Sequence, residues 1–126
     1  MFKLSTKSEK KLQGIHKDLA KVVREAINIT EIDFTVLEGL RSKKRQEELV
    51  KIGASKTLNS RHITGHAVDL APIVAGKIRW DWPLFKKIAD AMKSAAAIVN
   101  VNIVWGGDWK SFKDGPHFEL DRKHYY

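Results

Sequence analysis

The chain contains no cysteine, so no disulfide can staple its fold and a hydrophobic core has to hold it together. Its 126 residues correspond to one domain, and 43% of them are hydrophobic, which is enough to fill one core. A disordered chain is therefore excluded, and we predict a single domain over residues 1–126. The same absence excludes a thiolate metal site and a cysteine nucleophile, so any bound metal needs His, Asp or Glu ligands.

The basic balance of the chain predicts attraction to an anionic partner. Lysine and arginine number 23 against 15 acidic residues, which gives a formal net charge of +8. Nucleic acid, an acidic membrane surface and an acidic cell-wall polymer all fit such a charge. Acidic residues interrupt each basic stretch, and no helix-turn-helix, zinc-finger or RNP-like pattern accompanies the charge. We therefore interpret the charge as a solvated surface and expect no nucleic-acid partner.

Neither a membrane span nor a secretion signal is visible in the sequence. The longest apolar stretch, residues 95–99, is far shorter than the ~20 residues that cross a bilayer. The N-terminus runs directly into charged residues without the apolar segment of a secretory signal. We expect synthesis in a cytoplasm without a signal peptide, and no stable membrane association.

Hydrophobic periodicity, capping residues and turn residues predict a mixed fold. The predicted helices run from Ser5 or Ser8 to about Asn28, from Ser42 to about Gly53, and from Asp81 through Ala96. The predicted strands lie at 34–36, at 66–71, on either side of Gly76, at 101–105 and at 117–120. The expected architecture is α+β, with a small antiparallel sheet and about three helices on one side.

Three polar residues stand where packing alone would not place them. His62 lies in a polar loop, Asp69 lies inside the apolar run Ala-Val-Asp-Leu-Ala, and His117 opens the last strand. An aspartate buried there without a partner costs several kcal/mol, so a cation or strong donors should face it. Two imidazoles and one carboxylate form the ligand set of a catalytic zinc site. The alternative is that Asp69 pairs with an arginine, while His62 is a plain loop residue and His117 caps its strand.

Asp114 precedes His117 by three residues, through the turn residues Gly115 and Pro116. This spacing brings a carboxylate beside the proposed metal. Such a group can take a proton from an attacking water and return it to the leaving amine. The alternative is an Asx-turn aspartate that only shapes the loop.

These motifs resemble those of the M15 zinc peptidases, the group of the D-Ala-D-Ala carboxypeptidases and the phage L-alanyl-D-glutamate endopeptidases. Residues 60–69 fit the pattern S-x-H-x-x-G-x-A-x-D, and Asp114 stands three residues before the last His, as in the second half of the family signature. The aspartate at that position, the short chain and the run Trp-Gly-Gly-Asp-Trp at 105–109 look most like the phage endolysin branch.

The resemblance implies a Hedgehog/D,D-peptidase type fold and roles for individual residues. It implies Zn²⁺ bound by His62, Asp69 and His117, with Asp114 as the general base. Arg41 matches the family segment R-S-x-x-x-Q, in which the arginine steadies the substrate carbonyl or the oxyanion; the alternative is an arginine in solvent at a helix N-terminus. By the same resemblance, we predict Ser60 and Trp105 as substrate-binding residues.

The function implied is a zinc-dependent endolysin that hydrolyses the L-alanyl-D-glutamate bond of the peptidoglycan stem peptide during host cell lysis. We expect a monomer with one catalytic domain and no separate wall-binding domain, which reaches the wall in the periplasm after holin release. A D,D-carboxypeptidase that removes terminal D-Ala uses all the same residues and stays open as the alternative. Outside this class stands a basic nucleic-acid-binding module. A non-haem iron oxygenase fits poorly, because seven residues separate His62 from Asp69 where that class has an H-x-D motif.

Overall fold

The computed structural model describes residues 2–55 and 57–125, and an antiparallel sheet of five strands lies at its centre. The strands are β1 (Asp33–Glu38), β2 (Ala67–Val74), β3 (Lys77–Ile78), β4 (Ile103–Trp105) and β5 (His117–Leu120). Their order is β1-β2-β5-β4, and β3 pairs with the far end of β2. The long strand β2 therefore lies between β1 and β5, so both of its neighbours can place side chains beside its own.

In the described part of the chain, four α-helices and one 3₁₀ turn accompany the sheet. The helices are α1 (Thr6–Lys11), α2 (Lys17–Ile29), α3 (Lys43–Lys51) and α4 (Trp82–Val99), and the 3₁₀ turn covers Gly106–Asp108. Helix α4 packs on β2 and β4, α2 packs on α4, and α1 contacts β1. These contacts confirm the predicted α+β architecture with a small antiparallel sheet.

The two central strands each turn one face towards the core and the other towards the candidate site. Val68 and Leu70 of β2 and Phe118 and Leu120 of β5 are fully buried in the hydrophobic core. Burying a side chain of this size contributes roughly 1.5–3 kcal/mol, so this face fixes the register of both strands. The alternate residues, including Asp69, consequently point to the opposite face.

The first predicted helix is in fact two helices, so the structure has four where about three were expected. Gly14 has a left-handed φ of +84° between them, and the ring Nδ1 of His16 accepts the backbone N–H of Asp18 at 3.0 Å to begin α2. Leu12 and Ile15 remain buried across the break. The apolar spacing therefore continues through a change of backbone direction that periodicity alone does not report.

The other predicted boundaries hold closely. The Ser42 side chain accepts the backbone N–H of Arg45 at the start of α3, and Gly53 follows that helix at φ +77°. The hairpin at Gly76 joins β2 to β3, and the predicted last strand coincides with β5. Within the described part of the chain, no helix is both long enough and apolar enough to cross a membrane.

Candidate active site

Adjacent strands bring Asp69 and His117 together. In the antiparallel pairing of β2 with β5 the two residues are direct partners, and both side chains leave the sheet on the face opposite the core. His62 comes from the loop before β2. Its backbone N–H donates to Ser60 Oγ at 3.2 Å, and its carbonyl accepts the N–H of Arg41 at 3.0 Å. The site therefore combines two residues on strands with one on an anchored loop.

One oxygen of Asp69 is the focus of the group. Asp69 Oδ1 lies 3.3 Å from His62 Nε2 and 3.5 Å from His117 Nδ1, yet this buried atom has no hydrogen-bond partner among the described residues. One ligand atom from each of the three residues lies within 4.8 Å of the other two. A buried carboxylate oxygen without a donor and two imidazole nitrogens turned towards it form a donor set that fits a divalent cation with an open position.

The orientation of His62 is set by its other ring nitrogen. His62 Nδ1 lies 3.0 Å from the carbonyl oxygen of Gly39, which can only accept, so Nδ1 carries the proton and Nε2 is free to bind a cation. Gly39 itself is required there, because a Cβ at this position would stand 1.9 Å from the carbonyl oxygen of Lys11. Sequence reasoning did not indicate this contact between the residue after β1 and the loop that carries His62.

Electrostatic interactions within the group shift the pKa values of two of its members. Burial opposes ionisation of Asp69, but the two imidazoles outweigh it and hold the pKa of this carboxyl well below its usual range. Burial likewise opposes the charged form of His117, but Asp69 and Glu119 outweigh it and raise the pKa of His117 to about 9.

Asp114 lies on the wall of the cavity that contains the three donors. Its backbone N–H donates to the carbonyl of Gly106 at 3.0 Å, and its own carbonyl accepts the N–H of His117 at 3.2 Å. Burial, followed by the negative charge of Asp69, raises the pKa of the Asp114 carboxyl above its usual value. A carboxylate with a raised pKa accepts a proton more readily than an exposed one.

Arg41 also faces the site and is not the solvent-exposed arginine of the alternative interpretation. Its side chain is 10% exposed, Nη2 lies 3.8 Å from Asp69 Oδ2, and Nη1 donates to Gln46 Oε1 at 2.7 Å. Glu38 contacts the same guanidinium through Nε and Nη2. Arg41 therefore pairs with the second oxygen of Asp69, while the first oxygen faces the two imidazoles.

Ser60 and Trp105 occupy different places. Ser60 lies on the cavity wall, where its hydroxyl accepts the backbone N–H of His62. Trp105 is 6% exposed, and its indole N–H donates to the carbonyl of Gly115 at 2.7 Å. The ring stacks on Phe118 in the core and on the half-exposed Trp82. Trp105, predicted to bind substrate, therefore supports the turn between Asp114 and His117 and is not among the described residues that line the cavity.

A cavity of about 550 Å³ is lined by the three donors together with Asp114, Arg41 and Ser60. The three donors and Asp114 line it on one side, and α3 and the following loop line it on the other through Leu49, Ser55 and Thr57. The fully buried Gln46 fastens this second wall, because its amide nitrogen donates to Ser55 Oγ at 2.7 Å while its oxygen holds Arg41. The cavity is large enough for a short stretch of peptide.

Sequence reasoning missed two acidic residues, Glu38 and Glu119. Glu119 is 4% exposed, and its carboxylate lies 2.9 Å from His117 Nε2. It stands two residues after His117 on β5, and residues two apart in a strand point to the same face of the sheet. The alternation of the predicted strand could therefore have indicated Glu119 beside His117. Glu38 ends β1 beside Asp69, its register partner on β2. The sequence signal for Glu38 was weaker, because it depends on the pairing of β1 with β2.

Two buried imidazoles and a carboxylate, with a further carboxyl group on the wall of the same cavity, fit the active site of a metal-dependent hydrolase. A sequence model of the family described as "Phage L-alanyl-D-glutamate peptidase" matches residues 1–125. The chain belongs to this family.

Similar proteins agree with this assignment. The chain is 34% identical to the L-alanyl-D-glutamate peptidase of Escherichia phage T5, in an alignment that covers 98% of this chain and 93% of the phage protein. It is 34% identical to the peptidoglycan L-alanyl-D-glutamate endopeptidase CwlK of Bacillus subtilis, over 86% of this chain and 73% of CwlK. The crystal structure of the Serratia marcescens L-Ala D-Glu endopeptidase ChiX superposes with a TM-score of 0.93 at 45% identity, covering 98% and 93% of the two chains.

A more distant structure shares the fold alone. The vancomycin resistance D,D-dipeptidase VanXYg superposes with a TM-score of 0.57 at 20% identity, over 84% of this chain and 50% of VanXYg. Together with ChiX, it confirms the predicted D,D-peptidase type of fold.

Proposed function

We propose that this chain is a zinc-dependent peptidoglycan endopeptidase that hydrolyses the L-alanyl-D-glutamate bond of the stem peptide. The observation that carries the proposal is the unpartnered Asp69 Oδ1 between His62 Nε2 and His117 Nδ1, in a cavity that Asp114 also lines. The printed names of the phage T5 protein, CwlK and ChiX support the choice of bond.

His62, Asp69 and His117 are the residues that would hold the metal. Zn²⁺ is the cation that best suits two neutral imidazoles and one carboxylate with an open fourth position. When bound, zinc supplies a Lewis acid that polarises the scissile carbonyl and makes water a stronger nucleophile at neutral pH. The cavity leaves room for the substrate between these donors and the wall formed by α3 and the loop that follows it.

Asp114 has the role of general base and then general acid. Its partly buried carboxylate accepts the proton that the attacking water loses, and the same proton passes to the leaving amine of the D-glutamate residue. The raised pKa of Asp114 suits both steps, because the group has to hold the proton between them. The turn through Gly115 and Pro116 keeps the carboxyl close to His117 without making it a metal ligand.

Arg41 stabilises the negative charge that develops on the carbonyl oxygen in the transition state. Its guanidinium is held on two sides, by Glu38 and by Gln46. A preorganised cation costs little reorganisation when the charge appears. Ser60 acts through the loop, because its hydroxyl holds the backbone of His62, and it can also meet substrate on the cavity wall.

The biological setting follows from the same assignment. We propose one catalytic domain that acts as a monomer on the cell wall, made in the host cytoplasm and released to the wall with the help of a holin during lysis. The net charge of +8 favours an anionic wall polymer as the substrate. A nucleic-acid-binding module explains the charge but gives no reason for the buried donor set.

Digestion of purified peptidoglycan tests the proposal. The zinc-loaded protein should produce new L-alanine C-termini and D-glutamate N-termini, read by mass spectrometry, and a sample treated with chelator should produce neither. Release of free D-alanine without a new D-glutamate amine would overturn the choice of bond in favour of the D,D-carboxypeptidase. No cleavage of any stem peptide by the zinc-loaded protein would overturn the function.

A further inference from the structure

The two imidazoles of the site turn opposite nitrogens towards Asp69. His62 presents Nε2 and His117 presents Nδ1. The remaining nitrogen of His62 meets a neutral backbone carbonyl, that of Gly39, at 3.0 Å. The remaining nitrogen of His117 meets the carboxylate of Glu119 at 2.9 Å. The two histidines are therefore held by acceptors of different charge.

Glu119 is an unusual residue for its place. It is 4% exposed in the middle of β5, and a buried carboxylate costs several kcal/mol unless it is paired. Arg122 Nε donates to Glu119 Oε2 at 3.1 Å, and Arg61 Nε lies 3.9 Å from the same oxygen. The side chain is therefore a carboxylate, with one oxygen on His117 and the other between two arginines.

Two backbone carbonyls hold the guanidinium of Arg61 beside Glu119. Its Nη2 donates to the carbonyl of Leu120 at 3.2 Å and to that of Tyr125 at 3.0 Å. Its Nε is buried and has no hydrogen-bond partner in the described part of the chain, so its contact with Glu119 is an ion pair. Arg61 directly precedes His62 in the loop before β2, so its contact with Glu119 links that loop to the carboxylate beside His117.

We propose that Glu119 is a positioning residue of the metal centre, which accepts the Nε2–H of His117 and so presents the Nδ1 lone pair to the cation. This inference rests on the proposed metal-dependent function and adds a residue to it. In the other tautomer Nδ1 carries the proton and cannot bind a metal. A carboxylate that accepts the hydrogen bond also makes the imidazole a more basic ligand than a backbone carbonyl does. His117 therefore binds the cation more strongly than His62.

Zinc affinity measured without substrate tests the proposal. Glu119→Gln keeps the shape of the side chain but removes its charge, and an amide can donate as well as accept, so it no longer imposes one tautomer. Competition with a chromogenic chelator should give a zinc Kd about 10–100-fold weaker than that of the parent chain. The matched control is Glu9→Gln, which removes an exposed carboxylate paired with Arg24 at 3.0 Å and should leave the Kd unchanged.

The outcomes separate this inference from the proposed function. A parent chain that binds no zinc overturns both. A parent chain that binds zinc tightly, with a Glu119→Gln Kd within twofold of it, overturns the inference alone. Circular dichroism of the metal-free variant has to show a native spectrum, so that weaker binding is not simply loss of fold.

A second readout needs no variant. Two-bond ¹H–¹⁵N correlation spectra of the zinc-loaded parent chain distinguish a histidine bound through Nδ1, with a proton on Nε2, from the reverse arrangement. We expect the first pattern for His117 and the reverse for His62. A proton on Nδ1 of His117 would overturn the inference even if Glu119→Gln failed to fold.

Discussion

Gly106 lies directly against the backbone of Asp114: a Cβ on Gly106 would stand 2.5 Å from the Asp114 carbonyl oxygen and 3.0 Å from the Asp114 Cβ. The same added atom would stand 3.0 Å from the Cβ of His117. One glycine in the 3₁₀ turn after β4 therefore sets how closely the proposed base and a proposed metal ligand approach that turn.

The first prediction is that Gly106→Ala damages catalysis through this contact. The extra methyl group pushes against backbone that cannot yield easily, and overpacking of this kind costs roughly 1–3 kcal/mol. Because Asp114 and His117 move together, we expect peptidoglycan cleavage to fall by about 10²-fold, as a displacement near 1 Å can cause. Kinetic assay and thermal unfolding of the same sample measure the two effects.

Gly76→Ala is the matched control for this variant. Gly76 has φ +78° in the β2–β3 hairpin, and an added Cβ meets no atom within 4 Å. Its backbone strain costs roughly 1–2 kcal/mol of stability, while the site stays as it is. Equal loss of activity in both variants would mean that lowered stability, and not displacement of the site, explains the result for Gly106.

The second prediction concerns metal content. The chain should contain about one zinc ion after mild purification, because three protein ligands complete a mononuclear site with one open position. His62→Ala and His117→Ala each remove one ligand and should lose most of the zinc, as measured by elemental analysis. His124→Ala removes a histidine whose partner is Asp121, 3.3 Å away, and should keep it. Unchanged zinc in both ligand variants would contradict the proposed site.

The third prediction separates the base from the ligands. Asp114→Asn should lower kcat by about 10²–10⁴-fold and leave zinc bound, because the amide cannot take the proton from water. Asp108→Asn is the control, since Asp108 is exposed and pairs with Lys93 at 2.8 Å. If Asp114→Asn loses its zinc together with its activity, Asp114 is a metal ligand and the assignment of roles is wrong.

The fourth prediction concerns Arg41. Arg41→Lys keeps the charge but loses the planar fork that contacts Glu38 and Gln46, so the cation is no longer held in place. We expect kcat to fall more than KM rises, because the charge acts mainly when the oxyanion develops. Arg45→Lys, on the exposed face of α3 beside Glu48, provides the comparison. Steady-state kinetics that show equal values for Arg41→Lys and the parent chain would return Arg41 to a structural role.

Two members of the donor set stood out in the sequence because they broke a local rule, and the resemblance to the M15 zinc peptidases added His62 to them as a ligand. Asp69 interrupted an apolar strand, and His117 opened a strand that the structure buries completely. The sequence did not indicate contacts that depend on pairing between distant segments, such as Gly39 with His62. Trp105 shows the same limit, since a tryptophan near a catalytic motif looks alike in sequence whether it faces the cavity or the core. The spacing of apolar residues likewise continued across Gly14, so it did not indicate that the chain changes direction there.

The pairing of Asp69 with His117 across β2 and β5 has a consequence for how the site opens. Amide hydrogens in such a buried strand pair exchange with solvent only when the whole fold opens, whereas loop amides exchange through local fluctuations. His62 is the one member of the donor set that a loop carries, with hydrogen bonds to Ser60 and Arg41 as its anchors. Loss of a bound cation should therefore begin at His62, while the other two residues persist together for as long as the sheet does.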